Sequence, residues 1–225
     1  MPRFTVPSAF LICLLPLLAG CAPGRPAGRA APADVAALVE AGKVRVVNRA
    51  ATALREAGRS GLRFDSRPLD GLAWLPNVAF AEGTVEFDVR GKDVLQRSFV
   101  GLAFHGLNDS AFEAVYFRPF NFRHADSLRR RHAVQYVAMP EHPWNRLRRE
   151  FPGRYEAPVQ PAPDPGGWLH VRLEVRPTEV AVYVDEAPVP ALRVVPLRPA
   201  AGRQLGFFVG DNSDGDFANL RVRPR

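Results

Sequence analysis

The chain has 225 residues, 47% of them hydrophobic and 24% charged, with 22 prolines, 18 glycines and two cysteines. That balance is too apolar for a disordered chain, is long enough for a well-cored domain, and excludes a disulfide-built scaffold. The formal charge of +7 is almost wholly arginine, Lys43 and Lys92 being the only lysines, yet the arginine runs are short and no recognition-helix pattern accompanies them, so nucleic acid is not an expected partner.

Arg3 lies in a short n-region, Phe10 to Leu18 is an apolar run too brief to span a bilayer, and small residues precede Cys21. Leu18-Ala19-Gly20-Cys21 resembles the bacterial lipobox. The resemblance implies cleavage before Cys21, lipidation of its thiol, and durable anchoring through several acyl chains. An ordinary secretory signal with a chance cysteine is the alternative. Residues 1–20 then form a lipoprotein signal peptide, 21–33, rich in Pro, Gly and Ala, a flexible tether, and 34–225 a single domain in the cell envelope. Ala22 stands where an Asp would resemble the inner-membrane retention signal, which points to the outer membrane, with the domain facing the periplasm or exterior. There, acidic glycans or anionic headgroups suit the positive charge. Cys13 leaves with the signal and Cys21 is lipidated, so no thiol remains for a disulfide or a thiolate metal site.

Asp34 is placed to cap a short helical turn through Val35, Leu38 and Val39. From Lys43 onward the pattern is strand and turn: Val44 to Val47, Gly61 to Asp65, Gly71 to Leu75, and then Gly83 to Gly91. In the last of these Val85, Phe87 and Val89 alternate with Glu86, Asp88 and Arg90, so one face meets a core and the other water. Ser98 to His105 and Ala111 to Arg118 form a hairpin about a Gly-, Asn-, Asp- and Ser-containing turn. A basic excursion, Asn121 to Arg131, leads to a third strand, His132 to Ala138. Pro140 to Pro165 reads as a long irregular loop whose Trp144, Phe151 and Tyr155 argue against disorder. Trp168 to Val175, Glu179 to Val184, Gln204 to Gly210 and Phe217 to Val222 close the chain. Trp74 and Trp168 belong to the core. No long amphipathic helix is expected, and roughly ten to thirteen strands at turn-punctuated intervals describe an all-β, two-sheet antiparallel sandwich.

Three stretches carry a family resemblance: Trp168 to Val175, Val180 to Asp185, and Gly206-Phe-Phe-Val-Gly210. Their order resembles the ending of concanavalin A-like, laminin-G-type jelly rolls, and Gly83 to Val89 is similar to an early strand of those domains. Val115-Tyr-Phe-Arg-Pro-Phe-Asn-Phe122 is similar to a segment of envelope domains related to the 3-keto-disaccharide hydrolase-type family. The resemblance implies sugar binding, or cleavage of a sugar bond, on the concave sheet face; fold alone implies neither.

The candidate chemistry centres on the stretch from Ser98 to Val137. Tyr116 and Arg118 are two apart and share a strand face, with Asn121 just beyond Pro119. A ring, a guanidinium fork and an amide suit a polyhydroxylated ligand, although Tyr116 could equally be core and Arg118 a loop tie. Gln135, Trp144 as part of a lid, and His105 complete the candidate ligand contacts; His132 differs from Gln135 by three and should face away from it. Glu113 is the natural catalytic acid for a glycosidase or sugar lyase, but it lies five residues from Arg118 and so on the opposite face of a regular strand. Glu86 and Asp88 share a face like the paired acids of glucanases, yet Gly91 stands where a third acid would be, which favours a solvated strand face. Asp211, Asp214 and Asp216, with Ser213, offer oxygens to a calcium ion without EF-hand spacing; no other cofactor is expected. The expected function is a lipid-anchored module binding a carbohydrate or glycoconjugate. The alternatives are a glycosidase or lyase on the same face, and a structural envelope protein that holds partners through its arginine-rich loops.

Overall fold

A computed structural model describes residues 1–2, 34–198 and 200–225. Residues 3–33, which hold the rest of the expected signal peptide, the expected tether and Cys21, lie outside the described residues. Asp34 accepts from Ala37 N at 3.1 Å and caps α1 (Val35–Glu40), which buries Val35 and Ala36.

Fourteen strands follow. The first five are β1 (Arg45–Val47), β2 (Ala51–Glu56), β3 (Arg59–Phe64), β4 (Gly71–Trp74) and β5 (Gly83–Arg90). Next come β6 (Val100–Gly106), β7 (Phe112–Phe117), β8 (Val134–Met139) and β9 (Glu156–Ala157). The chain ends with β10 (Leu169–Arg176), β11 (Glu179–Val184), β12 (Leu192–Val194), β13 (Gln204–Val209) and β14 (Gly215–Pro224). Two seven-stranded sheets result, in the orders β1-β4-β13-β6-β7-β8-β9 and β12-β11-β10-β5-β14-β3-β2. Every paired strand is antiparallel. This is the all-β, two-sheet antiparallel jelly-roll sandwich that the turn-punctuated pattern predicts.

Period-two alternation decides which side chains enter the core. In β5 and β10, Val85, Phe87 and Val89 pair in register with Leu173, Val171 and Leu169, and all six are at most 2% exposed. From the other sheet Phe207 meets Phe217 at 4.7 Å and Phe87 at 6.2 Å between ring centroids. Burying a phenylalanine stabilises the fold by roughly 2–3 kcal/mol.

Several expectations need correction. Trp168 is half-buried just before β10 rather than in the core. Its indole lies between two guanidinium groups, Arg59 at 4.9 Å and Arg90 at 4.6 Å, a place that suits an aromatic face attracting cations. Asp88 is not solvated but 8% exposed, bonded by His170 Nδ1 at 2.8 Å and Asn219 Nδ2 at 2.8 Å, while Glu86 takes Arg223 at 3.0 Å. The paired acids are thus bound up on the outer face of the second sheet. The excursion after β7 holds a short 3-10 turn (Pro119–Asn121) and α2 (Ser127–Arg130). The Pro-rich loop holds α3 (Trp144–Glu150) and β9.

Strand β2 goes unrecognised in the sequence because Ala-Thr-Ala-Leu-Arg-Glu contains good helix formers and only Leu54 is buried. Pairing decides it: Glu56 meets Arg59 across a two-residue turn, Ala57-Gly58, with φ of 47° and 78°. Positive φ at both positions is the hairpin geometry that favours Asn-Gly. Ala57→Asn should therefore raise the unfolding free energy by about 1 kcal/mol, because alanine resists the left-handed region. Urea unfolding of the two proteins measures this, and an unchanged or lower midpoint would contradict the turn assignment.

Candidate functional site

The sandwich register that sends Phe207 inward turns Phe208 outward, and the same alternation acts across the first sheet. Tyr116 pairs with Gly101 on β6 and with Gln135 on β8, while the neighbouring pair, Val115 and Tyr136, faces the second sheet. Outward rings build a continuous floor: Tyr116 lies 5.5 Å from Phe208 and 6.1 Å from Phe99, and Phe99 lies 5.5 Å from Phe120. Gly101 has a physical reason to be glycine, since a Cβ there would stand 2.5 Å from the Tyr116 Cα.

Arg118 sits over this floor, 5% exposed, with its Cζ 4.9 Å from the Tyr116 ring centre and 5.7 Å from that of Phe99. It donates to Tyr116 Oη at 2.9 Å, to His132 O at 2.9 Å, and more weakly to Gln135 Oε1 at 3.4 and 3.5 Å. Gln135 in turn is held by its Nε2, which donates to Tyr136 O and Tyr155 O at 2.9 and 3.0 Å. Asn121 donates to His132 O at 3.1 Å, and its buried Oδ1 has no partner among the described residues. Tyr116 and Arg118, which strand spacing puts on one face, thus form one connected cluster with Asn121 and Gln135.

Tyr116, Arg118 and Asn121 form one wall of a cleft of about 850 Å³. Trp144 and Arg148 of α3, Leu128 and Arg129 of α2, and Asp211 beyond β13 complete its rim. Trp144 is 47% exposed, with Arg148 Cζ 5.0 Å from its ring centre. Arg148 also grips Glu156 through Nη2 at 2.7 Å and Nε at 3.0 Å. His132 Nδ1 lies 2.7 Å from the same carboxylate, too poorly angled for a hydrogen bond. His132 precedes β8, so strand alternation does not govern it, and it lines the cleft, whereas Gln135 does not. Burial holds the His132 imidazole below its ordinary range although Glu156 opposes this, and burial pushes the Tyr116 phenol up. At neutral pH the cleft thus presents a neutral imidazole and a phenol. The phenol accepts from Arg118 and keeps its own proton to donate.

Three expected residues are not brought to the cleft: Gln135, 1% exposed, supports Arg118 from behind without lining it, and the other two lie deeper. Glu113 and His105 lie between the sheets, 0% and 3% exposed. Glu113 accepts from Tyr136 Oη at 2.6 Å and contacts His105 Nδ1 at 2.9 Å, while His105 Nε2 contacts Ala81 O at 2.5 Å. The carbonyl requires a proton on Nε2, which leaves the carboxyl and Nδ1 to share the other. Every polar atom of the group is engaged; along β7 regular alternation separates Glu113 from Arg118, while His105, with φ of 51°, lies at the irregularity in the pairing of β6 with β13.

Phe99, Phe208, His132, Arg148 and Glu156 join the site without a sequence signal that groups them. Glu156, for example, comes from a two-residue edge strand paired to Gln135.

The three carboxylates proposed for calcium are turned to different partners. Asp211 accepts from Leu69 N at 2.6 Å, Asp214 pairs with Lys92, and Asp216 accepts from Arg63 Nε and Arg90 Nη2, both at 2.6 Å. Among the described residues no three His, Cys, Asp or Glu side chains converge to hold a metal ion. Cationic side chains neutralise Asp214 and Asp216, and Asp211 is taken up by a backbone N–H and the Asn212 amide, so the three are not gathered as a calcium donor set.

The class of protein is thus an antiparallel jelly-roll sandwich with an aromatic and basic cleft on the outer face of one sheet. No family model matches the chain, and no curated protein matches its sequence significantly. Solved structures share the fold. A carbohydrate binding module, CBM66 from Bacillus subtilis, is 15% identical with a TM-score of 0.53, over 78% of this chain and 95% of that one. A Bacillus subtilis protein of unknown function with a galectin-like fold is 13% identical with a TM-score of 0.55, over 88% and 98%. The metal-free VIP36 exoplasmic/lumenal domain is 12% identical with a TM-score of 0.52, over 81% and 84%. At these identities the likeness is one of fold.

Burial pushes the Asp216 carboxyl up, but the Arg63 and Arg90 hydrogen bonds outweigh it and hold the group below the ordinary carboxylate range. A depressed folded pKa contributes stability that is complete above the unfolded value, near 3.9, and is lost as pH falls through the folded value. Asp216→Asn should cost about 1–3 kcal/mol at pH 7, discounted for the exposure of Arg63, and progressively less below about pH 4. Denaturant unfolding at a series of pH values tests this; parallel curves for wild type and variant would rule out the pairing.

Proposed function

We propose that the protein is a saccharide-binding module, anchored to an envelope membrane through lipid on Cys21 and binding its ligand in the cleft over Tyr116 and Arg118. The observation that carries the reading is the cleft itself. It combines flat apolar rings, which stack on the C–H faces of a sugar, with fixed polar groups that orient hydroxyls: the Arg118 fork, the Tyr116 hydroxyl and the Asn121 amide. Trp144, half-exposed on the rim, supplies a further stacking face. The fold likeness to a module whose printed name is carbohydrate-binding is in keeping with this. Binding without bond cleavage is supported by the burial of Glu113 between the sheets, since the hydrolytic alternative on this face relied on that acid.

Glycan-array screening followed by calorimetry on the purified protein should find a saccharide ligand. Trp144→Ala should weaken binding about tenfold, one stacking contact's worth, and Arg118→Ala more, with no sugar released in either case. Sugar release by the wild type would transfer the site to an enzyme, and silence across the array would favour a protein-partner role.

The anchoring is supported by the Leu18-Ala19-Gly20-Cys21 lipobox resemblance and by the Pro-, Gly- and Ala-rich stretch after it. Cells expressing the full chain and fed labelled palmitate should incorporate label, and Cys21→Ser should abolish it. Label retained in the variant would refute lipidation at that thiol.

A further inference from the structure

The charge on Arg118 is the feature that the cleft leaves uncompensated. A buried guanidinium is costly unless a carboxylate or a full set of acceptors meets it. Arg118 has neither. Its partners are a phenol, a backbone carbonyl and a side-chain amide, the last only at 3.4 and 3.5 Å, and it forms no salt bridge among the described residues.

Most other buried or half-buried arginines behave differently; Arg198, which does not line the cleft, keeps two buried nitrogens without partners but has Glu141 at 3.7 Å. Arg63 and Arg90 share Asp216, Arg148 takes Glu156, and Arg59 takes Asp88. Arg49 is buried without a carboxylate contact, but it donates to four carbonyls, those of Asn48, Leu69, Gly210 and Ser213, and does not line the cleft. Arg49 is a loop tie, whereas Arg118 faces ligand space.

Of the acids near Arg118, three are committed elsewhere, while Asp70, exposed on the cleft, forms no salt bridge with it among the described residues. Asp126 caps α2 by accepting from Leu128 N at 2.8 Å, Asp211 accepts from Leu69 N and from Asn212, and Glu156 is held by Arg148. Arg129, also on the rim, has no acidic partner among the described residues. A second observation points the same way: the buried Oδ1 of Asn121 is an acceptor without a donor, although its amide nitrogen is anchored on the carbonyl that Arg118 also holds. A ligand that brings a carboxylate to Arg118 and a hydroxyl toward Asn121 would satisfy both. The guanidinium lies over two flat rings, which suits a planar two-oxygen group meeting a planar fork.

We propose that the saccharide taken by this cleft is a uronic-acid-containing glycan, whose carboxylate pairs with the Arg118 guanidinium and whose adjoining hydroxyl meets Asn121. The inference rests on the saccharide-binding reading and names the class of sugar. Neutral sugars would leave the charge unpaired, so affinity should depend on the carboxylate itself.

The test uses matched pairs on the full-length protein: tetramers of galacturonate, of mannuronate and guluronate, and of hyaluronan, each beside its carboxyl-reduced twin, titrated by calorimetry at about 20 and 200 mM salt. At least one acidic oligosaccharide should bind ten times or more tighter than its reduced twin. Arg118→Gln should erase that preference and Arg118→Lys retain part of it, with folding of each checked by circular dichroism. The matched pairs on unchanged protein keep the test decisive even if Arg118→Gln does not fold. Equal affinity for acidic and reduced twins, or binding of neutral or sulfated glycans only, overturns the carboxylate inference and leaves saccharide binding standing. A preference that survives in folded Arg118→Gln also overturns it. Binding of no saccharide at all overturns both readings.

Discussion

Phe207 packs against Phe87 and Phe217 of the opposing sheet, and that contact sets the register on which the rest of the molecule depends. Because side chains alternate along a strand, an inward Phe207 forces Phe208 outward, and an inward Val115 and Tyr136 force Tyr116 and Gln135 outward. A slip by one residue would put Arg118's supporting ring and amide into the core and its apolar neighbours into water. The hydrophobic interior thus specifies the cleft floor without any contact between the two.

The structure holds its polar groups in two contrasting ways. Between the sheets, His105, Glu113, Tyr136 and the Ala81 carbonyl form a closed set in which each polar atom meets another. Removing one member of such a set is strongly destabilising, because the remainder is left buried and unpaired. On the outer face, Arg118 and Asn121 are almost as well buried, yet their bonding is left incomplete. Complete bonding belongs to architecture, and incomplete bonding at an open cleft belongs to recognition.

Arginine chemistry runs through both sheets. Guanidinium groups flank Trp168, cover Trp144, bridge Asp216 to Glu56, and crown Tyr116. A planar cation that stacks and bonds at once can do this where a lysine ammonium cannot. The high positive charge therefore resolves into separate local assignments rather than one continuous basic patch.

Strand alternation in Gly83 to Arg90 and in Leu169 to Arg176, turn residues at regular intervals, and the Asp34 cap were legible in the sequence, since each depends on neighbours along the chain. The shared face of Tyr116 and Arg118 was legible for the same reason, as was the separation of Glu113 from it. Local pattern misled where long-range partners decide: Trp168 sits in an apolar run but lies between Arg59 and Arg90, and Asp88 reads as solvated but is covered by His170 and Asn219. The loop aspartates look alike in sequence, and only the approach of Lys92, Arg63 and Arg90 from other strands separates them. By itself, then, the sequence determined the two-sheet sandwich and the nucleus of its candidate site, because both follow from a two-residue period. The tertiary structure alone decided which charges are compensated, because pairing across sheets and loops joins residues that no sequence spacing relates.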